Sequence, residues 1–173
     1  WYQRRVRAIT SISKMLKVII IIVVVFIIFK KIISKLSTRP LPMPKIENYI
    51  QQPRPESSQQ KLQVIEAFAT WCPPCRASIP HLNALYVDHP DVFFVGLSNE
   101  SNQQIDQFLT KNPIAYNVAV GNQAEKLMKQ TLTPGIPHAF LFMFKTLVWH
   151  GHPNSLGKQI IKYKQILEQG TSE

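Results

Sequence analysis

The chain has 173 residues, 45% of them hydrophobic, with 13 Pro, 6 Gly and 2 Cys, which is enough for one domain with a real core plus an appendage. A formal charge of +10 suggests a nucleic-acid partner, but its distribution argues against one. Residues 1–39 hold nine Lys/Arg and no acid, whereas residues 40–173 hold eleven Lys/Arg against ten Asp/Glu and offer no basic face for phosphates.

An uninterrupted apolar run extends from Val18 to Phe29, between the basic clusters. It is short against the roughly 20 residues that a membrane span needs. Counted from Met15 to Ile33 it reaches about 19, with Lys17, Lys30 and Lys31 able to snorkel to the headgroups. The expected arrangement is a basic flank over 1–14 and an uncleaved transmembrane signal anchor over 15–37. A cleaved signal peptide is the second reading, weakened because no small-x-small cleavage site follows. A buried β-rich segment is the third, since Ile and Val also favour strands. Five basic residues precede the run and four follow it, a slight bias toward a cytoplasmic N-terminus.

Residues 38–61 carry Pro40, Pro42, Pro44, Pro53 and Pro55 among Gln and Ser. Proline fixes φ and removes N–H donors, so this stretch is expected to be an extended tether. The pattern changes at Leu62. Leu62–Ala69 reads as a buried strand, and Pro74 to about Tyr86 as a helix in which Pro80 should introduce a kink. Val92–Ser98 is a second strand. Ser101 is placed to cap a helix through about Lys111, with Ile105, Phe108 and Leu109 on one face. Tyr116–Val120 reads as a short strand, and Asn122 as the cap of a helix to about Gln130. His138–Phe144 and Thr146–His150 form an expected hairpin. Ser155 is expected to cap a final helix with Ile160, Ile161, Ile166 and Leu167 on its apolar face. Alternating strands and helices with a late antiparallel pair indicate an α/β sandwich on a mixed sheet over residues 62–169, followed by a short tail, 170–173.

The chemistry concentrates at Trp71-Cys72-Pro73-Pro74-Cys75, which holds both cysteines. Two thiols at this spacing close a small disulfide ring or clamp a metal. The preceding strand and following helix favour redox chemistry, because the first sulfur then sits at the positive end of the helix, where a thiolate is stabilised.

Four stretches in order resemble the TlpA/ResA type of thioredoxin-fold thiol–disulfide oxidoreductase, which includes the CcmG/DsbE reductants of cytochrome c maturation. They are Phe68–Arg76, Val95–Glu100, Gly135–Leu141 and Val148–Pro153. The resemblance implies a thioredoxin-like α/β fold behind a membrane anchor. It implies that Cys72 is an exposed nucleophile and Cys75 a buried resolving cysteine. It further implies that Pro80 kinks the active-site helix, and that a cis bond between Ile136 and Pro137 faces the cysteines and holds a substrate strand. Trp71, Pro73, Pro74, Ile136 and Pro137 are then the substrate-binding residues. No cofactor is expected beyond a redox-active Cys72–Cys75 disulfide.

Glu66 lies six residues before Cys72, where thioredoxins carry a buried Asp. A desolvated carboxyl there would have a raised pKa and could take the proton of Cys75; the alternative is an exposed Glu on an edge strand. His150 and His152 read as a polar turn, Trp71 as a cover over the site, and His81 as a surface residue. The segment Phe142–Leu147 lacks the family's Asp and Gly, so a shorter or irregular hairpin is expected, with Phe144 exposed.

The resemblance implies partners: disulfide-bearing protein substrates, a membrane electron donor, and the lipid bilayer through residues 15–37, with the catalytic domain on the periplasmic side of a bacterial inner membrane. The competing reading is a tethered copper chaperone using the cysteine pair with a histidine such as His138 or His152. A third keeps the enzyme class but makes it a disulfide-donating oxidant.

Overall fold

The computed structural model describes residues 17, 19–30, 40–53 and 60–170. The chain divides into two compact units, Trp1–Pro40 and Leu41–Glu173. In the first, residues 19–30 form helix α1, with every large apolar side chain from Ile19 to Phe29 exposed. Twelve residues rise about 18 Å, short of the ~30 Å hydrocarbon core. Among the described residues no helix is long and apolar enough to cross a membrane. The flanks that would extend α1 into the expected 15–37 anchor lie outside the described residues, apart from Lys17.

The second unit is one mixed sheet with helices on it. Its strands are β1 (Tyr49–Gln51), β2 (Leu62–Ala67), β3 (Val92–Ser98), β4 (Asn117–Val120), β5 (His138–Met143) and β6 (Thr146–Gly151). Its helices are α2 (Pro73–Asp88), α3 (Asn102–Leu109), α4 (Gln123–Gln130) and α5 (Leu156–Gln169). The sheet order is β1-β4-β3-β2-β5-β6. Strands β2, β3 and β4 run parallel, while β1, β5 and β6 join antiparallel to their neighbours. β2 and β3 are buried throughout. Strands buried on both faces read as continuous apolar runs, which is what these segments show.

Alternation along β2 sends Val64 to one face and Ile65 and Ala67 to the other, and each face builds its own core. Val64 and Phe68 pack with Cys75, Ile79 and Leu82 of α2, Ile105 and Phe108 of α3, and Leu156 and Ile160 of α5. Ile65 and Ala67 pack with Phe93, Phe140 and Phe142 and with Ala124 and Leu127 of α4.

Several expectations are corrected. The proline-rich stretch is not simply a tether. β1 pairs with β4, Pro42 bridges to Thr146, and Leu41, Met43, Ile46 and Tyr49 pack on the second core. Proline tolerates a sheet edge, where its missing N–H is not needed, so the same residues that suggest extension also allow edge pairing. Residues 54–59 of the expected tether lie outside the described residues.

The hairpin is irregular, as expected: its register shifts between Leu141, which pairs with Trp149, and Phe142, which pairs with Leu147, although its turn is tight. Met143 pairs with Thr146 across a two-residue turn in which Phe144 and Lys145 have φ of 49° and 61°, the doubly positive geometry of a type I′ turn. On α5 the buried stripe is Leu156 and Ile160 with Tyr163 and Leu167 partly covered, while Ile161 and Ile166 are exposed. Spacings of four, three and four keep that stripe on one face, and Ile161 and Ile166 fall off it. Ser101 forms a capping box with Gln104, but neither Asn122 nor Ser155 makes a side-chain cap bond.

Candidate active site

β2 ends at Ala67 and hands the chain to a tight turn, closed by the Cys72 N–H donating to the Ala69 carbonyl at 3.1 Å. Cys72 is the N-cap of α2, with extended backbone (φ −92°, ψ 103°), and Pro73 takes the first turn, where no N–H partner exists. Cys72 and Cys75 are disulfide-bonded, with Cα atoms 5.3 Å apart. The Cys75 N–H donates to Cys72 Sγ at 3.3 Å, so the first sulfur occupies the place of a capping oxygen at a helix N-terminus. A thiolate there meets the partial positive charge of the unpaired first-turn N–H groups.

The bond between Ile136 and Pro137 is cis, and the Ile136 carbonyl oxygen lies 4.0 Å from Cys72 Sγ. The loop before β5 therefore sits against the cysteine pair. Trp71 is 70% exposed, and Pro73, Pro74 and Arg76 are also exposed. Cys72 itself is only 3% exposed, against the expectation of an exposed nucleophile. Its sulfur is joined to Cys75 and turned under the Ile136 carbonyl. Beside the pair opens a cavity of about 250 Å³ lined by Phe68, Trp71, Leu97, Met128 and Ile136 among others, mostly apolar.

Glu66 is buried on a central strand, not exposed on an edge. Its neighbours in register are Gly96 on β3 and Ala139 on β5, both small enough to leave room for a carboxyl group. A Cβ on Gly96 would stand 3.1 Å from the Tyr116 ring and 3.4 Å from Glu66 Oε2. The Tyr116 hydroxyl donates to Glu66 Oε2 at 3.1 Å, while Oε1 is buried with no hydrogen-bond partner among the described residues. Burial pushes the Glu66 pKa up to about 8, and the Tyr116 hydrogen bond opposes part of that rise. By strand alternation Glu66 shares the face of Val64 and Phe68, the face that packs against Cys75.

Two groupings escape the sequence reading. Glu100 accepts hydrogen bonds from the Thr70 N–H at 2.7 Å, the Thr70 hydroxyl at 2.6 Å and the Ser98 hydroxyl at 3.0 Å. His138, directly after the cis-proline, shares a 3.0 Å hydrogen bond with His150, and its Nε2 lies 3.4 Å from Thr133 Oγ1. Desolvation, then the charges of His150 and His152, lowers the His138 pKa to about 4. His150 is thus a strand residue of β6 and not part of a turn, while His152 caps the 3₁₀ turn Pro153–Ser155 through the Asn154 N–H. Among the described residues no group of three or more His, Cys, Asp or Glu is placed to hold a metal. The histidine pair and the cysteine pair do not converge as the copper reading requires. Tyr116 and Glu100 are legible in sequence only as the first residue of an expected strand and the last residue of the Val95–Glu100 stretch, with no sign of their partners.

Residues 60–145 match the family model described as thioredoxin-like. The match marks residues 60–145 as similar to that family. The thioredoxin-like domain is similar to sporulation thiol-disulfide oxidoreductase A of Bacillus subtilis, 31% identical over 84 residues, covering 45% of this chain and 50% of the relative. It also resembles thioredoxin-like 2-2, chloroplastic, of Arabidopsis thaliana, 36% identical over 44 residues, covering 25% of this chain and 19% of that one. The chain thus spans half or less of the length of these curated relatives.

Among solved structures, a thiol:disulfide interchange protein of the thioredoxin family from Chlorobium tepidum superposes with TM-score 0.54 at 23% identity, over 70% of this chain and 94% of that one. StoA from Bacillus subtilis superposes with TM-score 0.51 at 20% identity, over 68% and 98%. These likenesses establish the fold of the thioredoxin-like domain.

Proposed function

We propose that the protein is a thiol–disulfide oxidoreductase that reduces selected protein disulfides through Cys72 and Cys75. The observation that carries this reading is the disulfide at the N-terminus of α2, with the Ile136–Pro137 loop against its first sulfur. The similarity to a Bacillus thiol-disulfide oxidoreductase supports it. In the reduced protein the Cys72 thiolate attacks one sulfur of a substrate disulfide. A Cys72–substrate bond forms and the other substrate sulfur leaves as a thiolate. Cys75 then loses its proton and attacks Cys72 Sγ. The ring closes, the substrate leaves with its second thiol, and two electrons have passed from the dithiol to the substrate.

Glu66 is the proposed acceptor of the Cys75 proton. Its burial on the face that packs against Cys75 and its raised pKa support that role. Trp71, Pro73, Pro74, Ile136 and Pro137 are the proposed contacts for the substrate chain. The chemistry needs no further cofactor, because the disulfide is itself the electron carrier. A dithiol partner, in this reading a membrane electron donor, must return the pair to the reduced state.

Tethering to a bilayer through residues 15–37, with the domain in an oxidising compartment such as the periplasm, completes the proposal. It is supported by the exposed apolar surface of α1 from Ile19 to Phe29. A role in cytochrome c maturation rests on the resemblance to DsbE-type proteins.

The test is the pH dependence of Cys72 alkylation in the reduced protein, read beside reduction of insulin disulfides. The proposal expects a rate that levels off near pH 7 and catalysis that needs both cysteines. A rate that stays low until about pH 8.5, as for an ordinary thiol, would contradict it.

A further inference from the structure

We propose that Glu100 is a positioning residue for exchange at Cys72, acting through Thr70; the inference rests on Cys72 being the attacking sulfur. The last rung joining the two chains beyond β2 and β3 is the Phe68 N–H donating to the Leu97 carbonyl at 3.3 Å. Past that rung the chains diverge, one into the turn that carries Trp71 and Cys72, the other into Ser98–Glu100. The Glu100 carboxylate joins them again. Oε2 accepts the Thr70 N–H and the Ser98 hydroxyl, and Oε1 accepts the Thr70 hydroxyl. The Glu100 N–H donates back to Ser98 Oγ at 3.2 Å, which fixes the carboxylate's own stem.

Thr70 is held at both its backbone and its side chain, two residues before Cys72. Paired hydrogen bonds from one side chain to both the backbone and the hydroxyl of a residue add geometric definition. On the other side of the turn, the Cys72 N–H donates to the Ala69 carbonyl and the Cys75 N–H meets Cys72 Sγ. Cys72 is therefore located from both sides, by the helix that follows and by the clamp that precedes. The sequence neighbours of the two clamped residues, Trp71 beside Thr70 and Asn99 beside Glu100, both line the apolar cavity. Loosening it lets Cys72 and Trp71 move together relative to the Ile136 carbonyl.

The experiment uses the reduced full chain as wild type, Glu100→Ala and Glu100→Gln. The second-order rate of Cys72 with 5,5′-dithiobis(2-nitrobenzoate) is measured well below each variant's unfolding midpoint. Gln keeps an oxygen for the Thr70 N–H and offers an amide donor to the Thr70 hydroxyl. Positioning therefore predicts that Glu100→Ala reacts about tenfold slower while Glu100→Gln stays within about twofold of wild type. Equal slowing in both variants would assign the effect to the lost charge and overturn the inference. An unfolding midpoint lowered with the rate unchanged would reduce Glu100 to a structural staple and overturn it as well. Should Glu100→Ala fail to fold, Thr70→Val carries the test, because it removes only the hydroxyl bond. It is expected to react about threefold slower, and an unchanged rate overturns the inference. Wild type reacting no faster than free cysteine would sink the exchange reading itself, whereas a reactive wild type with indifferent variants sinks only the role of Glu100.

Discussion

Glu66 is a carboxyl buried on a central strand, far from its ordinary solvated environment. With its pKa raised to about 8 by burial, it is neutral in the folded protein and ionised in the unfolded chain between roughly pH 4.5 and 8. The folded state then binds more protons, so stability falls as pH rises across that window. Each pKa unit of displacement corresponds to on the order of 1.4 kcal/mol. Glu66→Gln is therefore expected to flatten the decline of unfolding free energy between pH 5 and 8 in denaturant titrations. An unchanged slope would mean that the carboxyl is solvated. In catalysis, resolution of the mixed disulfide should accelerate with pH through about 8 as Glu66 becomes able to accept a proton. The variant should lose that inflection and slow on the order of tenfold or more at neutral pH.

His138 works with the opposite sign. Its pKa is lowered to about 4, so the unfolded chain binds its proton first and stability is lost as pH falls from about 6.5 toward 4. His150 on β6, His152 beyond it and the Thr133 hydroxyl are the groups that His138 faces. His138→Asn should soften the acid limb of the stability curve, and a limb of unchanged steepness would contradict the assignment.

At the scale of elements, the β5–β6 turn carries a cost that its sequence does not relieve. Phe144 and Lys145 both hold positive φ, a region that disfavours residues bearing a Cβ by about 1 kcal/mol or more each. Lys145→Gly keeps the backbone contact with Met43 and should raise the unfolding free energy by about 1 kcal/mol. A loss in chemical denaturation would show that the Lys145 side chain matters more than its backbone.

The edge segment 41–51 gives a second test. Gln51 donates to the Ile114 and Tyr116 carbonyls at 2.8 and 2.7 Å, and so steadies the residue that holds Glu66. A chain beginning at residue 60 should be less stable than one beginning at residue 41 by at least about 2 kcal/mol. Equal stabilities would return the segment to the status of a tether.

For the whole molecule, the parts legible in sequence are those whose signal is local. The order of strands and helices, the Cys72–Cys75 turn, Pro80 inside α2 and the proline before β5 all follow from short-range spacing and from proline's fixed φ and missing N–H. Contacts between distant segments are not legible in this way. Tyr116 reaches Glu66 across 50 residues, and Glu100 reaches Thr70 across 30. Pairing of β1 with β4 depends on a sheet edge that no local pattern announces. The hairpin's strands are legible but its turn type is not, because a type I′ turn without Gly or Asn has no compositional mark.

The central claim is that Cys72 attacks and Cys75 releases, and trapping with Cys75→Ser tests it most directly. Incubated with a disulfide-linked peptide, that variant should accumulate a stable mixed disulfide on Cys72, visible as a mass shift that dithiothreitol removes, while wild type turns the peptide over and retains none. No adduct on Cys72, or an equal adduct on Cys75 in a Cys72→Ser variant, would contradict the account.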